Sequence, residues 1–506
     1  MKALRDIGIG PLIFVAIWLF FMIAGRTRLL QDPGSQWHTV VGERILTQGF
    51  TTDEPFSFTK ANDRWIPHQW LGEVGMALAY RISGFDTFVL MTATMLAALF
   101  TWLILRLLKT GWNPVVGSVI SVVMIATAAT HIHVRPMLVT IPFLAISAVM
   151  LTDYDAGRLK LKQLFWLVPL YLIWSNIHGG MLGGLTSMGL IVAGWIAFKL
   201  LRLSSPITAW RIVAWLALLG ILCGLTAFAT PYGDGIVRVW RTILQQSRIG
   251  ELIEEHRPLD ISQPTSWPLM VLAAFYLFTL TGTRLKTLHV TWLLPLFWLL
   301  QAVQHVRHSP LFAVTAFIAI TAMWPHTRWA VLLAAKRPDV YDPAHPVAGS
   351  KWWAWLFPAS VVTLSFLLQA TGRQVPVIGA GWSGLDPKVW PTDTLFDLEL
   401  YEPQDGTHNH ILNDCGYGGF LIFQTPGYKV FVDDRAELYG EEFLVEFVRG
   451  SSDSTPQTLE LLQKQYGVFD FALVKNDSNF DDVLFASKDW MMIHRGDVAS
   501  FYKRNR

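Results

Sequence analysis

The side chains in this sequence that are able to do chemistry fall into a few short groups, most of them beside long apolar runs. The densest lies between Leu29 and Trp70. Asp32 stands just after an apolar run, followed by Trp37, His38 and Glu43, then Asp53, Glu54, Asp63, Trp65 and His68. Carboxylates and imidazoles at that density suit substrate binding, acid–base work or the holding of a cation. Asp32, Asp53 and Glu54 are able to hold a divalent cation such as Mg or Mn, but nothing in their spacing requires one, so the cofactor stays open. Smaller groups are His131, His133 and Arg135; His178 beside two glycines in "SNIHGG"; Arg257; His305, Arg307 and His308 in "QHVRHSP"; and Asp433, Asp434 and Arg435 in "DDRAE". Arginine grips phosphate oxygens in a fork, but each of these arginines also reads as a charge positioned at a membrane edge. His178 reads as a substrate ligand or a packing histidine. The histidines show no firm zinc-ligand spacing. "DDRAE" reads as a metal or sugar contact, or as a salt-bridged strand end.

Two helices would position the first group. "WHTVVGERIL" puts Trp37, Val40, Val41 and Ile45 on one helical face, and "HQWLGEVGMALAYRIS" does the same with Trp70, Val74, Leu78 and Ile82. Both patterns predict amphipathic helices lying in a membrane interface. The sequence between them is acidic and aromatic. Glu43 is a supporting or solvated residue.

Composition says which interface this is. The chain has 506 residues, 52% hydrophobic and 15% charged, with 23 Trp; a soluble domain carries about 25% charge, and Trp gathers at membrane surfaces. The net charge of +2 and the lack of a basic block argue against nucleic acid. Cys223 and Cys415 sit in unlike surroundings and give neither a disulfide framework nor a metal-ligand pattern. The basic start "MKALRDIGIGPLIFVAIWLFFMIAG" is open to a signal-peptide reading, but it is bulky and lacks a small-residue cleavage site. It reads as a retained span.

Apolar runs recur at 7–25, 86–106, 114–130, 137–152, 165–176, 181–199, 212–229, 267–282, 289–303, 310–324 and 352–371. That predicts about eleven transmembrane helices, several of them short and so tilted, broken or re-entrant. Lys and Arg alternate with them. One side holds Lys2 and Arg5; Arg106 and Lys109; Arg158, Lys160 and Lys162; Lys199, Arg202 and Arg211; Arg284 and Lys286; then Arg328, Lys336, Arg337 and Lys351. The short loops of the other side hold none or one, Arg135 and Arg307 among them. The pattern predicts a cytoplasmic N-terminus. Residues 26–85 and 230–266 then form long extracytoplasmic loops, and the C-terminus lies outside. Residues 1–371 would form the membrane domain. Residues 372–506 have ordinary soluble composition and predict a small extracytoplasmic α/β domain. Its strands are "HILND", "YKVFVDD", "FDFALVK" and "ASFYKR"; its helices are "EEFLVEFVRG" and "TPQTLELLQKQYG", the second capped by Ser454 or Thr455 before Pro456.

The sequence also resembles a family of bacterial polytopic membrane proteins. The resemblance is carried by "QDPGSQWHTVVGERILTQGFTTDEPFSFT" and "RWIPHQWLGE" in the first loop. Further pieces are "VRPMLVT" (134–140), "WSNIHGG" (174–180), "TPYGDG" (230–235), "RHSPLFA" (307–313), "YGGFLIF" and "VFVDDRAELYG" (430–440). It covers nearly the whole chain. The departures are Gln36 for the first of a doubled Trp, Thr230 for Asn, and Asp434 for the Gly of an Asp-Gly-Arg motif. That family resembles the GT-C glycosyltransferases, multispan enzymes that use polyprenyl-phosphate-linked sugars on the outer face of the membrane. The resemblance implies that Asp32, the first acid of the first outside loop, is the catalytic base. Transfer would go with inversion, because a base in reach of an acceptor hydroxyl supports direct displacement. The leaving phosphate needs a cationic neighbour, for which Arg135, Arg257 and Arg307 are candidates. His38, Asp53, Glu54, His68, His178 and His308 are the remaining candidate substrate-binding residues. The acceptor would be a glycan, lipid or protein, and the setting the inner membrane of a bacterial envelope. One rival is a transporter or flippase of lipid-linked glycans, which would place charges near mid-membrane and show inverted repeats. No repeat is visible, and the charges sit at span ends. A second rival is a non-catalytic envelope assembly protein, in which Asp32 would be dispensable.

Overall fold

The computed structural model describes residues 8–246, 248 and 256–505. Lys2 and Arg5 of the charge pattern, and part of the 230–266 loop, lie outside them. Among the described residues, eight helices are long and apolar enough to cross a membrane: α1 (Ile9–Arg28), α4 (Phe85–Leu108), Pro136–Asp155, Met181–Leu200, Trp210–Phe228, Pro264–Thr281, Val306–His326 and Trp352–Ala370. This is an integral membrane protein. The expected runs at 114–130 and 289–303 form shorter apolar helices, Pro114–Ala129 and Val290–Gln304. The run at 165–176 forms an 11-residue helix, Leu167–Ile177, too short to cross a hydrocarbon core of about 30 Å at 1.5 Å per residue.

Helix Val306–His326 is the hub: every residue from Ser309 to Thr321 is buried, as expected of a helix that is apolar all round. Peripheral helices keep an apolar face for lipid, for example Val115, Val119 and Val122. α1 packs along α4, where Trp18 Nε1 donates to Thr94 Oγ1 at 3.1 Å.

The C-terminal sheet has the order β2-β1-β3-β5-β4. β1 (Asn409–Asn413) lies parallel to β2 (Tyr428–Val430) and to β3 (Phe471–Lys475); β5 (Ala499–Arg504) is antiparallel to β3 and to β4 (Trp490–Arg495). The loop after α1 extends this sheet: Phe58 N–H donates to Val430 O and Val430 N–H to Phe56 O, at 3.2 and 3.0 Å. The edge of β2 is thereby covered rather than left as an open template.

The two helices expected in the first loop are present as α2 (Gly34–Gln48) and α3 (Trp70–Ser83). Their apolar faces, however, do not rest on lipid. Trp37, Val41 and Ile45 are buried in one cluster with Trp390, Phe420, Ile411 and Phe501 of the C-terminal domain, and Val40, Trp70 and Val74 pack against it. Only Leu78 and Ile82 remain exposed. The physical reason is competition: a second apolar surface, the helix Gly418–Gln424, is available and packs on α2. α2 and α3 themselves touch closely, since a Cβ at Gly42 would collide with the Glu73 carbonyl. A strap at 381–390 ties the domain to the membrane part. Asp86 accepts from the Gly381 and Ser383 N–H groups, and Trp390 Nε1 donates to Leu30 O at 3.0 Å.

Candidate active site

Asp32 sits just past the C-terminal end of α1, 8% exposed. Its Oδ1 accepts the Gly34 N–H at 2.8 Å, and its Oδ2 pairs with Arg135 Nη1 at 2.8 Å. Arg135 arrives from the turn before helix Pro136–Asp155, and its Nη2 also reaches Met137 Sδ at 3.2 Å. Arg307 Nη2 approaches the same sulfur at 3.8 Å. Those two distances keep the guanidinium nitrogens within about 7 Å of one another. Arg307 also bonds His256 Nε2, and His305 and His308 stand beside it with ring centroids 5.9 Å apart. His308 Nδ1 is 3.3 Å from Gln301 O. One end of the helical domain thus carries Asp32, Arg135 and Arg307 together.

Next to Asp32 lies a buried polar cluster. His38 lies tilted against the Trp37 ring, centroids 3.6 Å apart, and its Nδ1 shares a 2.9 Å hydrogen bond with Glu73 Oε1. Burial, reinforced by the Arg135 charge, holds the His38 pKa well below its usual value. Burial, reinforced by Glu437, holds that of Glu73 well above the carboxylate range. Both shifts favour an uncharged pair. Glu73 Oε2 and the Tyr232 hydroxyl are enclosed without hydrogen bonds. His68, also kept neutral by burial, faces Glu437 across 4.0 Å. Trp70 Nε1 donates to Asn176 Oδ1 at 2.7 Å, and His178 Nδ1 accepts the Gly180 N–H at 2.9 Å and meets Thr140 Oγ1 at 3.0 Å.

Three other expected residues are elsewhere. Glu54 is turned inward, where its Oε1 accepts the Phe56 and Ser57 N–H groups and both oxygens meet Arg435. Asp53 is exposed and paired with Arg44. The Arg257 side chain is exposed, while its backbone oxygen receives the Val306 N–H. Asp32, Asp53 and Glu54 therefore do not converge. Among the described residues no three His, Cys, Asp or Glu come together as metal ligands, so no step is derived through a metal.

The "DDRAE" group divides. Asp433 and Arg435 are interlocked with Glu54: Arg435 Nε and Nη2 donate to Asp433 at 2.8 and 2.6 Å, and its Nη1 and Nη2 to Glu54 at 2.5 and 3.0 Å. The guanidinium is also walled by the Trp37, Phe56 and Trp65 rings at 5.8, 5.2 and 4.7 Å. Asp434, between them, takes no part in this lock. Its Oδ1 is enclosed and makes no hydrogen bond. Its pKa is pushed well above the usual carboxylate value by burial and then by the charges of Asp32 and Asp433. Sequence reasoning treated the three as one group and missed Glu73, Met137 and His256 altogether. Glu73 did carry a signal, as the lone acid opening an otherwise apolar amphipathic helix.

No family model and no curated protein sequence matches the chain. Solved structures do. The archaeal oligosaccharyltransferase AglB from Archaeoglobus fulgidus, in complex with an inhibitory peptide and a dolichol-phosphate, matches with a TM-score of 0.52 at 10% identity, over 92% of this chain and 69% of that one. ArnT from Cupriavidus metallidurans, bound to undecaprenyl phosphate, matches with a TM-score of 0.53 at 12% identity, over 97% of both chains. The chain therefore shares its fold with these two membrane proteins, and in it a helical membrane domain carries a small C-terminal sheet domain.

Proposed function

We propose that the protein is a GT-C-type glycosyltransferase that moves a sugar from a polyprenyl-phosphate-linked donor to an acceptor on the extracytoplasmic face. Asp32 is its general base, and the anomeric configuration is inverted. The observation that carries the reading is the Asp32–Arg135 ion pair at 2.8 Å, with Arg307 converging on Met137 beside it. A base and two guanidinium groups on one membrane face match the needs of the reaction. The acceptor gives up a proton, and the departing phosphate gathers charge that fixed cations stabilise. Both solved structures of the same fold hold a polyprenyl phosphate. The reading places residues 1–371 in the inner membrane of a bacterial envelope, and 372–506 outside as a domain seated on the first loop.

Binding of undecaprenyl phosphate, followed by native mass spectrometry of the purified full chain, tests the donor class. Arg307→Ala should weaken binding about ten- to hundredfold, the loss of one charge-assisted hydrogen-bonding group. Equal binding by wild type and variant would remove Arg307 from the donor site.

A further inference from the structure

We propose that Asp434, carried by the C-terminal domain, forms with Asp32 a two-carboxyl cradle that binds adjacent hydroxyls of a carbohydrate acceptor. The inference rests on the transferase reading and narrows its acceptor class.

The geometry begins with two glycines. A Cβ at Gly419 would lie 2.5 Å from the Pro33 carbonyl oxygen, and a Cβ at Gly418 would lie 2.5 Å from the Asp433 side chain. This pair of glycines is therefore wedged between the residue after Asp32 and the residue before Asp434, with no room for side chains. The Arg435–Asp433–Glu54 lock fixes both neighbours of Asp434 on the buried side. Asp434 is left outside that lock, near enough to Asp32 for the two charges to act on each other. Its enclosed, unbonded Oδ1 is a costly arrangement in a finished protein interior. It is expected where a substrate completes the hydrogen bonding.

The charges around Asp434 agree. Asp32 and Arg135 face it from the membrane part, and Asp433 and Cys415 from its own domain. Burial holds the Cys415 thiol neutral. Two carboxyls sharing one arginine tend to keep one proton between them. Asp32, paired with Arg135 at 2.8 Å, is placed to accept a hydrogen bond from a hydroxyl. Asp434 keeps a proton and is able both to donate and to accept. Neighbouring hydroxyls on a sugar ring offer that combination of a proton to give and a lone pair to fill.

Infrared difference spectroscopy of the full chain in nanodiscs tests the cradle without depending on transfer. A protonated-carboxyl component separate from that of Glu73 should be present at neutral pH, be lost in Asp434→Asn while the Glu73 component remains, and titrate at lower pH in Asp32→Asn. It should shift on adding methyl glycosides of glucose, galactose or mannose, and stay unmoved by a short Ser/Thr peptide. A wild-type band that is absent, that is indifferent to Asp32→Asn, or that shifts with the peptide and not the glycosides would overturn the inference. In transfer assays Asp434→Gly should raise the acceptor KM about ten- to hundredfold, with a smaller effect on kcat; an unchanged KM would also overturn it. If wild type transfers from no polyprenyl-phosphate donor, the transferase reading fails, while the infrared result still decides whether the two carboxyls act as a pair.

Discussion

Removing the Arg435 guanidinium should loosen the seam between the first loop and the C-terminal domain by a predictable amount. Arg435→Met keeps most of the apolar stem and deletes the charge. It leaves the Glu54 and Asp433 side chains, both 0% exposed, without their cation. Breaking a buried ion pair from one side costs about 3–5 kcal/mol. The lower end applies here. Glu54 keeps two backbone N–H groups at 2.7 and 2.8 Å, and Asp433 keeps the residue-435 N–H at 3.0 Å and the Tyr439 hydroxyl at 3.1 Å. A loss of about 3 kcal/mol multiplies the population of the opened seam by roughly a hundred, since each 1.4 kcal/mol is tenfold. The amides of Phe58 and Val430 report it, because their hydrogen bonds bridge loop and domain. Their exchange by mass spectrometry should accelerate about a hundredfold in Arg435→Met, while peptides from Ser309–Thr321 keep wild-type protection. Arg435→Lys retains the charge but cannot fork two carboxylates, so about tenfold is expected. Adding Glu54→Gln and Asp433→Asn to Arg435→Met removes the stranded charges and should recover at least tenfold. Unchanged exchange at Phe58 and Val430 in Arg435→Met would refute the lock.

Gly419→Ala places a methyl 2.5 Å from the Pro33 carbonyl oxygen. It should cost about 1–3 kcal/mol by overpacking, read as faster exchange at Val430 and weaker transfer. Gly416→Ala, where a Cβ meets nothing within 4 Å, should match wild type. The His38–Glu73 pair gives a pH prediction. His38, depressed from 6.5, contributes stability that is lost as pH falls below about 6.5. Glu73, raised above 4.5, works the opposite way, since its contribution is lost as pH rises from 4.5 towards its folded value. Glu73→Gln removes the opposing group. The acid-side loss of α2 protection, corrected for intrinsic exchange, should then steepen by up to about 1.4 kcal/mol per pH unit; an unchanged slope would argue against the assigned directions.

Much of the fold was legible because long apolar runs have few alternatives, and each expected run coincides with a helix. Leu167–Ile177 shows the limit: an apolar run locates a helix, but its length decides whether the helix crosses. In the C-terminal domain, short apolar and aromatic runs marked β1, β2, β3 and β5, and Thr455 does cap its helix through a capping box. "WMMIHR" escaped notice. It is the edge strand β4, with a bulge at Met492/His494 and only its first residue buried, so it carries no clean alternation. The site was legible only in part. Asp32 stood out from its place after the first span. Its pairing with Arg135, and the capture of Glu54 by a residue 381 positions later, are long-range events that leave no local pattern. The different surroundings of Asp433 and Asp434 were hidden in the same way, because adjacent residues of one charge look alike until a partner claims one of them.

The most direct test of the account is transfer itself. Purified full-length protein is incubated with a panel of labelled polyprenyl-phosphate sugars and bacterial membrane extract, comparing wild type with Asp32→Asn, and the anomeric configuration of the product is read by NMR. The account predicts transfer with inversion by the wild type and a loss of at least about a hundredfold in Asp32→Asn, the scale of general-base catalysis. Undiminished transfer by Asp32→Asn, or a product of retained configuration, would contradict it.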